Sequence, residues 1–141
     1  MTSLRVWVTI LLASCVSASA VELRYIEVRT GTTGLLAVPL TIINGSQVPL
    51  SCNADLAHWY SVELASVAPG ESATLALWRD PQSGTVSALN GKDENMPIER
   101  LWCGFAGRAY ATRAQIVLDA AAPAHRVTCT APAATGPMTC Q

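Results

Sequence analysis

Short segments in which apolar and polar residues alternate recur along this chain of 141 residues, and turns rich in glycine, proline or asparagine separate them. Such alternation predicts half-buried β-strands, because neighbouring side chains of a strand point to opposite faces of the sheet. We expect about eight strands, at 21–28 (with a β-bulge near Ile26), 35–43, 58–64, 72–78, 85–89, 98–105, 110–118 and 126–130. A helix is the less favoured alternative for 110–118.

The spacing of these segments predicts the fold class. Most of them follow one another at intervals of roughly 8–12 residues, which is typical of an all-β sandwich or small barrel. The connecting segments carry turn chemistry, as at 68–71 (APGE), which suits a type II turn. We therefore predict a small antiparallel β-sandwich of immunoglobulin-like architecture, with about seven to eight strands, over residues 21–130.

Membership of the immunoglobulin family itself is not indicated. Cys52 and Cys103 lie about as far apart as the paired cysteines of antibody domains. Trp59 follows Cys52 too closely, however, and Leu101 stands two residues before Cys103, where antibody domains have a tyrosine. The prediction concerns the architecture alone.

The first twenty residues have the features of an export signal. Arg5 gives a positive start, residues 6–13 form an apolar stretch too short to span a bilayer, and 18–20 (ASA) are a small-residue cleavage sequence. Residues 1–20 are therefore predicted to be a signal peptide, which places the protein in the periplasm or outside the cell.

A second interpretation of the same segment remains open. Residues 12–15 (LASC) also fit the cleavage sequence of bacterial lipoproteins. Cys15 would then be the lipidated first residue and would anchor the protein to the outer membrane without any transmembrane helix. The abundance of alanine, and of arginine over lysine, favours a bacterial source.

Composition limits the kinds of partner. Without residues 1–20 the chain has about 120 residues, the size of one domain. Its formal charge is one unit more negative than the −1 of the whole chain, because the removed segment holds one arginine and no acid. This charge argues against nucleic acid as a partner. Charged residues make up 13% of the chain, about half the usual share, so part of the surface is expected to be covered by small polar residues or by another protein.

Four cysteines follow the predicted cleavage site, and an even number in an exported protein predicts two disulfides. We favour Cys52 with Cys103, and Cys129 with Cys140, because the second bond ties the Pro-, Ala- and Thr-rich tail at 131–141 to the last strand. Pairing of Cys52 with Cys129 and of Cys103 with Cys140 is the main alternative. A metal site is not favoured, because the chain has no CxxC pair.

The sequence contains no recognisable catalytic motif. His58 and His125 are its only histidines, and nothing places either of them in a catalytic triad. The candidate copper ligands are the two histidines with Met96 and Met138. These four residues are scattered along the chain and form no cluster. We therefore predict a protein that is not an enzyme and that uses no metal or other cofactor.

Two polar loops, 45–56 and 90–97, are the expected contact regions, because binding residues are often found on loops. The second loop offers acidic oxygens of the kind that Ca²⁺ prefers, but Lys92 lies among them, so a solvated hairpin loop is expected. Residues 44–46 (NGS) form a glycosylation sequence, which is expected here to be a turn that ends a strand.

Aromatic residues give the clearest candidate for a ligand surface. Trp59, Tyr60 and Trp102 form this surface, since exposed rings on a sheet can stack on sugars, although aromatic residues also fill cores. Trp59 and Tyr60 must point to opposite faces, so one of them is expected outside. We predict a non-catalytic exported β-domain that binds another envelope or secreted protein, as an accessory or structural module of the bacterial envelope. The alternative is a carbohydrate- or small-ligand-binding module.

Overall fold

Strands make up the regular structure of this protein. The computed structural model describes residues 28–57, 60–133 and 136–141, and this part of the chain contains eleven β-strands and no helix. The strands are β1 (Leu36–Ala37), β2 (Leu40–Asn44), β3 (Leu50–Leu56), β4 (Tyr60–Val67), β5 (Ser72–Leu75), β6 (Leu77–Arg79), β7 (Val86–Leu89), β8 (Asn95–Phe105), β9 (Ala114–Ile116), β10 (His125–Thr130) and β11 (Thr139–Cys140). The predicted all-β class is confirmed, although the strands are more numerous than the seven to eight expected.

Some of the predicted features lie outside the described residues. They are the signal peptide at 1–20 with Cys15, almost all of the first predicted strand, and the side chains of His58 and Trp59. In the ranges that are described, no helix is long and apolar enough to cross a membrane.

The strands form two sheets. The large sheet has the order β1-β6-β7-β8-β3-β4, and β9 pairs with the last part of β8. The small sheet has the order β11-β10-β2-β5. All neighbouring strands are antiparallel except β2 and β10, which are parallel, so the prediction of a purely antiparallel arrangement is wrong at this pair. Apolar side chains from both sheets form one buried cluster, which gives a sandwich-like architecture.

Two segments of the chain belong to both sheets. The predicted strand 35–43 is divided into β1 in the large sheet and β2 in the small one, and the predicted strand 72–78 is divided into β6 and β5 in the same way. Pro39 lies at the first division, where it has no N–H to donate to a ladder. The two segments remain paired with each other on both sides of the division. They form a bent antiparallel ribbon that connects the sheets.

The polar loop predicted at 45–56 is shorter than expected. Its second part is β3, which lies inside the large sheet between β4 and β8. Alternate residues of β3 are buried and face the core: Leu50, Cys52, Ala54 and Leu56. The alternation is present in the sequence, but Pro49 and the polar residues in between made the segment resemble a loop.

Both disulfides form with the pairing that the sequence favours. Cys52 is bonded to Cys103, and Cys129 to Cys140. In each pair the two cysteines are directly opposite each other in neighbouring antiparallel strands. The first bond therefore joins β3 to β8, and the second holds the C-terminal tail against β10.

The immunoglobulin-like architecture is not confirmed. In antibody domains the disulfide links the two sheets across the core. Here each disulfide stays within one sheet, and the small sheet contains a parallel pair. What the structure shows is a sandwich-like pair of sheets with two in-sheet disulfides.

Asn44 is a fully buried polar residue at the end of β2. Its side-chain amide donates hydrogen bonds to the carbonyl oxygens of Val48 and Val67, both at 2.9 Å. Its side-chain oxygen accepts hydrogen bonds from the backbone N–H of Ser46 at 2.9 Å and from the Ser46 hydroxyl at 2.7 Å. Asn44 thus ties the end of β2 to the following loop and to the end of β4, with all its side-chain hydrogen-bonding positions filled.

We expect Asn44→Ala to lower the free energy of unfolding by about 2–4 kcal/mol, because the carbonyls of Val48 and Val67 and the donors of Ser46 would lose their partners at a buried site. Urea unfolding of the oxidised protein measures this loss. Thr41→Ala, at a half-buried position of the same strand, is the control and should cost less than about 1 kcal/mol. Equal losses in the two variants would contradict the role assigned to Asn44.

Candidate binding surfaces

The aromatic residues of the predicted ligand surface do not come together in the described chain. Tyr60, at the start of β4, is 61% exposed, whereas Trp102 in β8 is 8% exposed. Tyr60 is opposite Leu56 and Trp102 is opposite Asn53, so the two rings point to opposite faces of the large sheet. Of these two rings, only that of Tyr60 is open to a ligand.

Trp102 is covered by the loop that follows β8. The ring of Tyr110 meets the ring of Trp102 edge-to-face, with centroids 5.8 Å apart. The guanidinium of Arg113 lies 3.9 Å from the centroid of Tyr110 and donates a hydrogen bond to the Tyr110 carbonyl. The Trp102 ring is therefore covered within the protein, whereas Tyr110 itself remains 63% exposed.

Gly104 permits the loop to lie directly on β8. A Cβ atom at position 104 would be 2.0 Å from the carbonyl oxygen of Ala109. That oxygen belongs to the backbone, so it cannot move aside as the end of a flexible side chain can. The loop is fastened further by a hydrogen bond of 2.9 Å from the backbone N–H of Phe105 to the Thr112 hydroxyl.

The outward face of β3, β4 and β8 is otherwise polar, and its groups bond to one another. Arg100 forms an ion pair of 2.8 Å with Asp55, whose carboxylate also accepts a hydrogen bond from Ser61. The hydroxyl of Ser51 donates to the carboxylate of Glu63. Such cross-strand pairs are typical of a solvated face.

The core-facing side of the large sheet contains an open apolar groove of about 570 Å³. The groove lies between β4 on one side and β7 with its following turn on the other. Half-buried side chains from these strands and from β8 give most of its apolar lining: Val62, Leu64, Leu89 and Met96. No described residue of the small sheet contributes to it, so the described part of the chain leaves this region of the core-facing side uncovered. Its size and apolar character match those of ligand sites in proteins.

One edge of β4 is unpaired and borders this groove. Within the described ranges β4 forms a ladder with β3 alone, and it is the last strand of the large sheet. An unpaired edge presents backbone N–H and C=O groups that can pair with another strand. Natural proteins often protect such edges with lysine or proline, and β4 contains neither. Tyr60, Val62 and Leu64 of β4 all line the groove.

Only part of this site is visible in the sequence. Tyr60, Val62 and Leu64 fall on one face of the predicted strand at 58–64, which is the face that lines the groove. Leu89 and Met96 come from the hairpin of β7 and β8. Nothing in their spacing along the chain places them beside β4, so the groove is missed at the level of sequence.

Cys, His, Asp and Glu are the residue types that commonly bind metal ions. Among the described residues, one group of three or more such side chains lies close together, and it consists of cysteines. The Sγ atoms of Cys103, Cys129 and Cys140 lie within 4.8 Å of one another. All three sulfurs belong to disulfides. A disulfide does not offer the thiolate that binds a metal ion.

The scattered copper candidates occupy different parts of the fold. His125 begins β10 in the small sheet, Met96 lines the groove in the large sheet, and Met138 is buried just before β11. His58, the fourth candidate, is outside the described residues.

The acidic loop predicted at 90–97 is a short hairpin turn, since β8 already begins at Asn95. The side-chain oxygen of Asn90 accepts hydrogen bonds from the backbone N–H groups of Lys92 and Glu94 at 2.9 and 3.0 Å. The Asn90 amide donates to the Glu94 carboxylate at 2.6 Å. These polar groups therefore stabilise the turn itself.

A second groove, of about 500 Å³, is lined by both polar and apolar residues and lies where residues 28–31 run beside the start of β8. Hydrogen bonds from the backbone N–H groups of Gln82 and Ser83 hold the pKa of Asp80, on its rim, below the usual range. The Oδ1 atom of Asn95 is buried here without a hydrogen-bond partner among the described residues. Polar groups make up a larger share of its lining than in the first groove.

No protein family, curated protein or solved structure matches this chain.

We expect Gly104→Ala to destabilise the protein by about 2 kcal/mol or more and to expose Trp102, because the backbone at Ala109 must move away from β8. Acrylamide quenching of tryptophan fluorescence, together with thermal unfolding, measures both effects. Gly91→Ala is the matched control, since a Cβ atom there would meet nothing within 4 Å. Unchanged quenching and stability in Gly104→Ala would contradict the close packing of the loop.

Proposed function

We propose that this protein is a non-catalytic protein-binding module of the bacterial envelope and that it binds an extended segment of another polypeptide along β4. The observation that carries the proposal is the position of the unpaired β4 edge beside the apolar groove. Addition of a strand to an exposed sheet edge is a common mode of peptide recognition. In this mode, backbone hydrogen bonds supply affinity and pockets for alternate side chains supply specificity.

The two faces of the large sheet define the expected ligand. Side chains on one face of an added strand repeat about every 6–7 Å. On the core-facing side they would enter the groove and contact Val62 and Leu64, whereas on the other side they would meet the polar outward face around Ser61 and Asp55. The proposed ligand is thus a segment with apolar residues at alternate positions and polar residues between them.

Export of the protein is part of the proposal. The N-terminal sequence supports either a signal peptide at 1–20 or a lipidated start at Cys15. The two disulfides are compatible with an exported protein, since disulfides persist in oxidising compartments. In either form the domain would meet other envelope or secreted proteins. The low share of charged residues agrees with a surface that is partly covered by a partner.

A carbohydrate-binding function has less support. Trp102 is covered by Tyr110, so Tyr60 is the one member of the predicted aromatic set that the described residues show exposed. A sugar placed against Tyr60 would also face the apolar lining of the groove. Its hydroxyl groups would find few hydrogen-bond partners there, which makes an apolar side chain the better occupant.

Photo-crosslinking tests the proposed site. Tyr60 and Tyr110 are matched positions, because they are 61% and 63% exposed and lie on opposite faces of the large sheet. Each is replaced in turn by the photoreactive residue p-benzoylphenylalanine, and the purified protein is irradiated in an envelope extract of its source cells. We expect one discrete adduct with another polypeptide from position 60, and little or none from position 110.

A second substitution in the groove makes the test specific. Leu89→Asp places a charge in the apolar lining and should abolish the adduct at position 60, because an apolar side chain would no longer bind there. Four results would contradict the proposal: no adduct at position 60, equal adducts at both positions, an adduct with a second copy of the chain, or an adduct with the chain's own residues 21–27.

A further inference from the structure

The two disulfides meet in the core of the sandwich. Cys103 lies in the large sheet, and Cys129 and Cys140 lie in the small sheet. Their three Sγ atoms are within 4.8 Å of one another. A sulfur released from one disulfide would therefore lie close to a sulfur of the other without any rearrangement of the strands.

The four cysteine residues differ in their exposure to solvent. Cys52, Cys103 and Cys129 have no exposed surface, whereas Cys140 is half-buried. Cys140 also lies in a strand of two residues, β11. Among the four cysteines, Cys140 is thus the one with surface that a nucleophile from solvent can contact.

We propose that Cys140 is a modification site for a small monothiol, and that the thiolate thereby released on Cys129 attacks Cys103. Thiol–disulfide exchange proceeds by attack of a thiolate on one sulfur, with the other sulfur leaving as a thiolate. This mechanism needs sulfurs that are close together and one that is accessible. The three sulfurs of the cluster are close together, and Cys140 is its one residue with exposed surface.

The reaction has two balanced steps. The monothiolate bonds to the Sγ of Cys140, the Cys129–Cys140 bond breaks, and its electron pair stays on Cys129. The Cys129 thiolate then bonds to the Sγ of Cys103, and the Cys52–Cys103 bond breaks with its electron pair on Cys52, which takes up the proton that the monothiol lost. The products are a mixed disulfide at Cys140, a Cys103–Cys129 disulfide and a free thiol at Cys52. Each step forms one disulfide bond and breaks another. The number of disulfide bonds is therefore unchanged, and no oxidant is needed.

The exchange changes what the covalent bonds connect. In the starting protein each disulfide lies within one sheet. In the product, the Cys103–Cys129 bond joins the large sheet to the small one. β3, the strand on which β4 is paired, loses its covalent link to β8.

Peptide mapping of the wild-type protein tests the proposal. Cleavage after arginine and lysine places Cys52 in peptide 30–79, Cys103 in peptide 101–108, and both remaining cysteines in peptide 127–141. The oxidised protein is treated with reduced glutathione, blocked with N-ethylmaleimide at acidic pH, digested without reduction and analysed by mass spectrometry. We expect peptide 101–108 to be disulfide-bonded to peptide 127–141 instead of to peptide 30–79. Peptide 30–79 should then carry one N-ethylmaleimide group, on Cys52. Persistence of the link between 30–79 and 101–108, in molecules whose Cys140 carries glutathione, would overturn the proposal.

A variant isolates the second step. Cys140→Ser leaves a free thiol on Cys129, so the Cys103–Cys129 bond should form at mildly alkaline pH without any added thiol. Cys103→Ser is the control, because it removes the sulfur that Cys129 is proposed to attack and should give no link between peptides 101–108 and 127–141. Folding of each variant is checked by its circular dichroism. A folded Cys140→Ser protein that keeps the Cys52–Cys103 bond would equally overturn the proposal, and the wild-type experiment decides the question if this variant does not fold.

Discussion

The contact between the two disulfides is the constraint around which the rest of the sandwich is arranged. Cys52–Cys103 fixes β3 against β8 in the large sheet, and Cys129–Cys140 fixes β11 against β10 in the small sheet. The sulfurs of these two bonds also lie against each other where the sheets pack. Each bond restricts the unfolded chain, which contributes about 3–4 kcal/mol for loops of these sizes. The same contact places sulfurs of both bonds at the interface between the two sheets.

The bent ribbon is shared by the two sheets, and in the described chain the larger sheet ends at the unpaired edge of β4. Its two segments contribute strands to both sheets, and the described chain then forms a small sheet of four strands opposite a large sheet of seven. The small sheet contributes nothing to the lining of the groove, and β4 ends the large sheet beside it. An exposed apolar patch of this kind commonly marks an interaction site. The open edge and the groove are thus consequences of the same topology.

The sequence predicts the strands and turns of this protein better than it predicts which strands lie next to each other. The type II turn after β4 forms as expected, with Gly70 at a positive φ of 75°, and the favoured cysteine pairing is confirmed. Pro39 interrupts an apolar segment in the sequence, but the switch between sheets depends on β5 and β6, which come much later in the chain. The parallel pairing of β2 with β10 and the approach of Met96 to Val62 are long-range contacts as well. Such contacts leave no periodic signal in either segment, so the sandwich was predictable while the groove was not.

The most direct test of an exported module held by two disulfides is the intact mass of the native, non-reduced protein from its own cells. We expect a chain that begins at Val21, or at Cys15 with added acyl groups. In either case it should be lighter than its reduced form by four hydrogen atoms, two for each disulfide. A chain that begins at Met1 with all its cysteines reduced would contradict this, because neither cross-link would then hold the sandwich and the protein would not have reached an oxidising compartment.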